Sequence, residues 1–234
     1  MAAALSKDSS AADIIAHMRA IATPEAIASK QRYGIVTDRC IGVMHGVQRD
    51  IAKTVGKNHQ RAAELWQSRI TECQLVGAFT ADPAAFTREL AHQWANDFDS
   101  WDMVDGCGDL YAQSPDWEVL IDDFINDPRE YAKRMAFVIM TYASIKRKKL
   151  PDEAFIPFIA LCAREAGDER KYVHKGISWA LRSIGKRSPF LREHVLEICA
   201  QLLQSEGKIE CALARETIRD LNSASTRRRM AKKA

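Results

Sequence analysis

The chain has 234 residues and a mass of 26.3 kDa, and 47% of its residues are hydrophobic and 28% charged. These values exclude a disordered chain, and no apolar run approaches the ~20 residues that a membrane-spanning helix needs. The net charge of +3 averages acidic and basic stretches, so it identifies no partner by itself. Six widely spaced cysteines without a CxxC pair predict free thiols of a reducing cytosol, and the absence of an N-terminal apolar segment predicts a cytoplasmic protein.

Helical periodicity runs through almost the whole chain. The apolar spacing predicts helices over 11–20 and 41–55, and Ser10 can cap the first of them. Further amphipathic segments are predicted at 60–69, 71–79, 83–94, 97–111, 116–126, 129–147, 151–166, 170–186, 189–204 and 207–221. Prolines stand near the start of five of these segments, where a missing N–H is tolerated: Pro83, Pro115, Pro128, Pro151 and Pro189. No segment alternates with a period of two, so the predicted fold class is all-α.

The last six predicted helices form three pairs that recur at roughly 35–38 residues, near the period of HEAT and armadillo repeats. The sequence therefore predicts an α-α superhelix of HEAT-like antiparallel helix pairs, a curved solenoid with a concave basic groove. A compact helical bundle is the alternative architecture. One domain is expected over 1–224, followed by a basic, disordered tail over 225–234.

The charge of the chain reverses near residue 128. Ten acidic residues and no Lys or Arg lie between Asn96 and Pro128, whereas Arg129–Arg192 holds fifteen Lys or Arg against six Asp or Glu. A basic surface attracts phosphodiesters, and a carboxylate facing such a surface weakens the binding of a polyanion. A chemical role is the better explanation for one such carboxylate. The rest of the acidic stretch is expected to be solvated helix surface, including Asp97, Asp99, Asp122 and Asp123.

Four residues at the border of these stretches are candidates for chemistry. Trp101 and Asp105 are four residues apart and share one face of a predicted helix. Arg134 stands beside an apolar stripe, past which its guanidinium can reach a phosphate or a carboxylate. Trp179 lies in a later amphipathic segment. Each has an ordinary alternative. Trp101 can pack in a helix interface and Trp179 in the core. Asp105 can be solvated or cap a helix, and Arg134 can be a surface arginine.

The segments Asp97–Asp105, Lys133–Phe137 and Tyr172–Arg187, with looser matches at Arg32–Ile35 and Gly42–Lys53, form a common pattern. Together they resemble the DNA alkylation repair family of AlkD-like helical-repeat glycosylases, over about residues 30–222. The resemblance implies hydrolysis of the N-glycosidic bond of cationic N3- and N7-alkylpurines in duplex DNA, with the base left in the duplex.

The same resemblance assigns roles to the four candidate residues. The family's catalytic aspartate falls on Asp105, the two tryptophans that flank the sugar-phosphate of the lesion fall on Trp101 and Trp179, and the phosphate-contacting arginine falls on Arg134. The reaction suits these residue types, because a cationic purine leaves without protonation. The carboxylate then has to stabilise an oxocarbenium-like sugar and hold a water molecule, and indole faces can favour the developing cation.

Further basic residues are expected to contact DNA phosphates. They are Lys133, Lys146, Arg147, Lys148, Lys175, Arg182, Lys186 and Arg187. The alternative function is a non-catalytic helical module that binds DNA structures or a protein partner. A metal-dependent hydrolase is disfavoured because the acidic stretch contains no histidine. The expected protein is a nucleoid-associated monomer that needs neither a cofactor nor a metal and binds double-stranded DNA with alkylated purines.

Overall fold

The computed structural model describes residues 4–231, and all the regular secondary structure within them is helical. The chain divides into two compact units, Met1–Asp116 and Trp117–Ala234. The helices of the first unit are α1 (Ala11–Ala20), α2 (Pro24–Arg32), α3 (His45–Val55), α4 (His59–Gln67), α5 (Thr71–Thr80), α6 (Arg88–Ala95) and α7 (Trp101–Gln113). Those of the second unit are α8 (Trp117–Ile125), α9 (Glu130–Lys146), α10 (Ile156–Arg164), α11 (Lys171–Gly185), α12 (Pro189–Leu202), α13 (Lys208–Leu221) and α14 (Ala224–Ala231). The predicted all-α fold class is confirmed.

Helix pairs are the building principle of the second unit. Helices α9, α11 and α13 pack side by side, α8 packs on α9, α10 on α11, and α12 on both α11 and α13. The predicted pairing of consecutive helices is therefore present in this unit. In the first unit, α3, α5 and α7 form a similar layer, with α4 packed on α5. The prediction of one continuous domain over 1–224 stays a prediction.

Two elements of the first unit differ from the sequence-based expectation. Helix α2 occurs where no helix was predicted, because its apolar pattern is weak. Pro24 at its first position and the Thr23 hydroxyl, which accepts the Ala26 N–H at 3.3 Å, start it instead. The helix predicted from residue 41 begins only at His45, since a distant carboxylate holds the preceding residues in a non-helical conformation.

That carboxylate belongs to Glu72, which is fully buried on α5. Its oxygens accept the backbone N–H groups of Ile41 and Gly42, each at 3.0 Å, and of Val43 at 3.3 Å. The Lys30 ammonium lies 3.4 Å away. A buried charge is tolerated when it is paired and its lone pairs are satisfied. The segment before α3 is therefore fixed by tertiary hydrogen bonds that its own sequence does not reveal.

The C-terminal segment also differs from expectation. Most of the tail predicted to be disordered forms α14, which packs against α13. Thr226 is buried, and its N–H donates to the Ser223 hydroxyl at 3.2 Å, which caps the start of the helix. The part of the predicted tail at residues 232–234 lies outside the described residues.

No helix among residues 4–231 has the length and apolar character needed to cross a membrane. All six cysteines lie in the described part of the chain and are free thiols, so that prediction is confirmed. Burial raises the pKa of Cys73 to about 12 and that of Cys199 to about 11. These thiols remain protonated and fill the core.

A substitution at Gly42 tests whether the non-helical segment before α3 needs a glycine at this position. The φ of Gly42 is +93°, and a Cβ atom there would lie 2.3 Å from the Thr23 carbonyl oxygen. We expect Gly42→Ala to lower the free energy of unfolding by at least about 2 kcal/mol, because left-handed strain and a backbone clash add together. Gly46→Ala is the matched control, since a Cβ at Gly46 meets nothing within 4 Å. Urea unfolding of both variants measures the difference, and equal stabilities would contradict this account.

Candidate functional site

A buried carboxylate holds the segment that leads into α7. The Asp97 side chain accepts hydrogen bonds from the Trp66 indole N–H at 2.8 Å and from the Gln74 amide at 2.9 Å. It also forms an ion pair with Arg69. These partners come from α4, α5 and the loop that joins them. The backbone immediately before Trp101 is thereby attached to the preceding helix pair.

A second ion pair supports the same segment. The Arg39 guanidinium contacts the Asp99 carboxylate at 2.5 Å and donates to the Asp97 carbonyl oxygen at 2.7 Å. The expectation that Asp97 and Asp99 are solvated helix surface is therefore wrong. Both lie in the loop between α6 and α7, where desolvated carboxylates need cationic partners. Asp122 on α8 is exposed, as expected.

Trp101 is the first residue of α7, and it is half-buried. Its indole N–H donates to the Tyr33 carbonyl oxygen at 3.2 Å. Tyr33 ends α2, and 69% of its surface is exposed. An exposed tyrosine beside the candidate tryptophan is a feature that the sequence reasoning did not select. The only signal for it was the loose family match at Arg32–Ile35.

Asp105 follows Trp101 by one helical turn and is half-buried. The opposite face of α7 packs tightly on α5, since a Cβ atom at Gly106 would lie 2.3 Å from Leu75 Cδ2. The neighbouring Asp102 lies 3.9 Å from the Lys30 ammonium. The predicted division of α7 is thus observed, with Trp101 and Asp105 on one face and Val104 in the core.

Arg134 lies on α9 in the second unit and is only 4% exposed. One of its terminal nitrogens donates to the Tyr172 carbonyl oxygen at 2.6 Å, near the start of α11. Gly176 on α11 lies beside it, and a Cβ atom there would make an ordinary van der Waals contact with Arg134 Cγ at 3.5 Å. The arginine is therefore held in place between two helices, and is not a mobile surface side chain.

Trp179 lies on α11 and is half-buried. It is therefore not a fully buried core tryptophan, which was the alternative to a functional role. Its ring meets that of Tyr142 on α9 edge-to-face, with centroids 5.9 Å apart and an interplanar angle of 74°. This geometry is favourable for aromatic pairs. The contact orients the indole, so Tyr142 is a supporting residue that the sequence reasoning missed. Trp101 and Asp105 belong to the first unit, and Arg134 and Trp179 to the second.

Two of the basic residues expected to contact DNA have internal roles instead. Lys133 is buried, and its ammonium lies 2.5 Å from Glu165 and 2.9 Å from Asp168. Arg187 bonds to Asp152 at 3.0 Å and to the carbonyl oxygens of Ser144 and Leu150, among others. We correct the expectation for both, because protein acceptors already take most of the N–H donors of each group and leave few for a phosphate.

The remaining basic residues fall into two groups. Arg147 stacks over the Trp117 ring at 4.6 Å, Arg182 lies 3.9 Å from Glu216, and Lys186 pairs with Asp220. Each of these has a protein partner near its charge. The exposed members of the set keep their ammonium groups accessible to solvent: Lys146, Lys148 and Lys175.

A search of residues 4–231 finds no cluster of three or more His, Cys, Asp or Glu side chains that could hold a metal ion. The chemistry available at the candidate positions is that of a carboxylate, two indoles and a guanidinium. A carboxylate can stabilise a nearby cation or polarise water, and a guanidinium can bind phosphate oxygens.

Comparisons with known proteins agree with this architecture. A family model described as DNA alkylation repair enzyme matches residues 14–216. A solved structure described as a new family of proteins related to the HEAT-like repeat DNA glycosylases, with affinity for branched DNA structures, is similar in fold. The TM-score is 0.74 at 13% identity, over 90% of this chain and 95% of the other. A comparison with curated proteins gives no match.

The fold of the chain is that of a HEAT-like repeat protein. Since the family model covers most of its length, the chain belongs to the DNA alkylation repair enzyme family. The resemblance inferred from the sequence is therefore confirmed at the level of family and fold.

The ion pairs of Lys133 predict a specific pH dependence of stability. Burial alone would raise the pKa of Asp168, but hydrogen bonds from Arg170 and Lys133 outweigh it and hold that pKa below its ordinary value. The stabilisation is then complete above the unfolded pKa of about 3.9 and is lost as the pH falls through the folded pKa. We expect Asp168→Asn to cost about 1–3 kcal/mol at pH 7 and progressively less below about pH 4.

Denaturant unfolding between pH 7 and pH 2 measures this difference. Glu169→Gln is the control, because Glu169 is the adjacent acidic residue and is exposed. A cost for Asp168→Asn that does not change with pH would assign the effect to packing and contradict the ionic explanation.

Proposed function

We propose that this protein is a DNA glycosylase that removes cationic N3- and N7-alkylated purines from duplex DNA without extruding the base. Asp105 is the catalytic carboxylate in this proposal, Trp101 and Trp179 contact the sugar-phosphate of the lesion, and Arg134 binds a phosphate. The single observation that carries the proposal is the arrangement on α7, where a half-buried indole and a half-buried carboxylate share one face at a pinned helix start.

The proposed reaction needs no general acid. The bond between C1′ and the purine nitrogen breaks, and its electron pair neutralises the positive charge of the alkylated base. The sugar becomes oxocarbenium-like, and the Asp105 carboxylate stabilises it by charge. Water then adds to C1′ and gives its proton to Asp105, so the products are the neutral alkylpurine and an abasic site. Because the alkylated base stays in the stack of the duplex, this reaction differs from that of base-flipping enzymes.

A carboxylate that faces a phosphate backbone is a cost to affinity. Coulomb repulsion between Asp105 and nearby phosphates weakens DNA binding, and the cationic lesion offsets it only where the alkylated base is present. The same carboxylate thus favours damaged over undamaged DNA. A binding module would gain nothing from this placement.

Asp105→Asn tests the proposed role. We expect the variant to bind methylated duplex DNA at least as tightly as the wild type and to release 7-methylguanine at least about 100-fold more slowly, because the amide cannot stabilise the sugar cation. Single-turnover release of the base and fluorescence anisotropy give the two quantities. The control is Asp122→Asn, which removes the same charge from an exposed position of the acidic stretch. Undiminished release by Asp105→Asn would refute the role of Asp105, and no release by the wild type would refute the glycosylase for these substrates.

The second candidate function is a non-catalytic module that binds DNA structure. It is favoured by the solved structure of similar fold, which is described as having affinity for branched DNA structures. The two functions predict different wild-type behaviour with a four-way junction and a linear duplex of equal length. A glycosylase should bind both similarly and release base from methylated duplex, whereas a junction-binding module should prefer the junction by at least about tenfold and release nothing.

A further inference from the structure

A cleft of about 900 Å³ opens beside Trp179 within the second unit. Its walls come from four elements, namely the end of α9, the turn after it, the last turns of α11, and α14. Its lining includes Ile145, Lys148, Trp179, Arg229 and Met230, and we call this space the Trp179 cleft. The helix that closes it, α14, is the segment that sequence patterns predicted to be disordered.

The charges of the Trp179 cleft are only partly balanced. Arg187 is paired with Asp152 and Lys186 with Asp220, so these two cations are compensated by the protein. Lys148 and Arg229 are both exposed, and neither forms an ion pair with any residue in the range 4–231. Two uncompensated cations that line one cleft attract an anion with at least two acceptor oxygens.

Arg187 holds the turn that carries Lys148. Its guanidinium donates to the carbonyl oxygens of Ser144 at 2.9 Å and Leu150 at 2.6 Å, on either side of that turn. The same guanidinium lies 4.6 Å above the Phe155 ring. The backbone beneath Lys148 is therefore held by these hydrogen bonds, so that only its side chain has to be ordered when its ammonium binds a ligand. Arg187 acts here as a positioning residue.

The cleft also offers an apolar wall next to these cations. Trp179 and Met230 are half-buried, and Ile145 is 48% exposed although it is a large aliphatic residue. An indole with adjacent aliphatic groups packs well against the apolar face of a deoxyribose. A phosphate joined to a deoxyribose can contact both the two cations and the apolar wall of the cleft.

We propose that the Trp179 cleft binds one nucleotide unit of a DNA strand, with Lys148 and Arg229 binding its phosphate. Trp179 and Ile145 pack against the adjoining deoxyribose, and α14 is a DNA-binding element of the protein. The inference extends the proposed function through Trp179, but it requires only DNA binding and no release of a base.

Arg229→Gln and Lys148→Gln test the proposal, and Arg228→Gln is the matched control. Arg228 is the neighbouring exposed arginine of α14 and does not line the cleft. We expect each cleft variant to weaken binding of unmodified duplex DNA by about tenfold near 100 mM salt and to lower the slope of log K against log salt by about 1. Arg228→Gln should change the affinity by less than about twofold. Because the two cleft residues share one phosphate, the double variant should lose less than the product of the single effects.

A second arm separates the two sources of a nucleotide phosphate. A deoxynucleoside monophosphate is titrated at millimolar concentration against wild type and Arg229→Gln, with tryptophan fluorescence as the signal and Trp179→Phe as its reference. Weakened DNA binding by the cleft variants supports the DNA strand as ligand. Unchanged DNA binding with monophosphate binding that needs Arg229 would overturn the DNA assignment and place a free nucleotide in the cleft. If Arg228→Gln and Arg229→Gln weaken DNA binding equally and no monophosphate binds, the proposed site is overturned. Helix α14 then attracts DNA only through its overall positive charge. Failure of glycosylase activity leaves all these readouts intact.

Discussion

The buried carboxylate of Asp97 is the interaction on which the candidate site depends most. Three side chains from the preceding helix pair, Trp66, Arg69 and Gln74, converge on it. They hold the loop from which α7 starts, and therefore the position of the Trp101 indole at its first residue. A carboxylate with this many partners resists displacement, because removing any partner leaves a buried charge undersatisfied. Such anchoring suits the role that we propose for Trp101, because a binding side chain works best when its supporting backbone is fixed.

The second unit contains the same kind of partnered charge, but there the enclosed groups are cations. Lys133 and Arg187 are cations enclosed by carboxylates and carbonyl oxygens, and they fasten neighbouring helices and turns to each other. Charged residues in this protein thus serve two purposes that sequence composition cannot separate. Some stabilise the helix pairs from within, while others, such as Lys148 and Lys175, keep their charge in solvent. Only the second kind is available for a polyanionic ligand.

The candidate residues of the second unit are similarly supported by their neighbours. Tyr142 orients the Trp179 indole from α9, and the Tyr172 carbonyl oxygen holds the Arg134 guanidinium. Helix α14 adds a further layer beside Trp179, because a buried threonine and a serine cap order a short basic segment against α13. A helix of eight residues is too short to be stable by itself, so its order comes from tertiary packing.

The sequence by itself determined the all-α class, most helices to within a few residues, and the family, because amphipathic periodicity and proline positions are local and the two tryptophan segments are specific. It also placed Trp101 and Asp105 on one helical face, since that follows from helix geometry alone. Only the tertiary structure decided that Asp97 and Asp99 are internal anchors, that Lys133 and Arg187 face inward, and that residues 41–44 are not helical. In each case the deciding partner is distant in sequence, and desolvation makes the charge or backbone group depend on that partner.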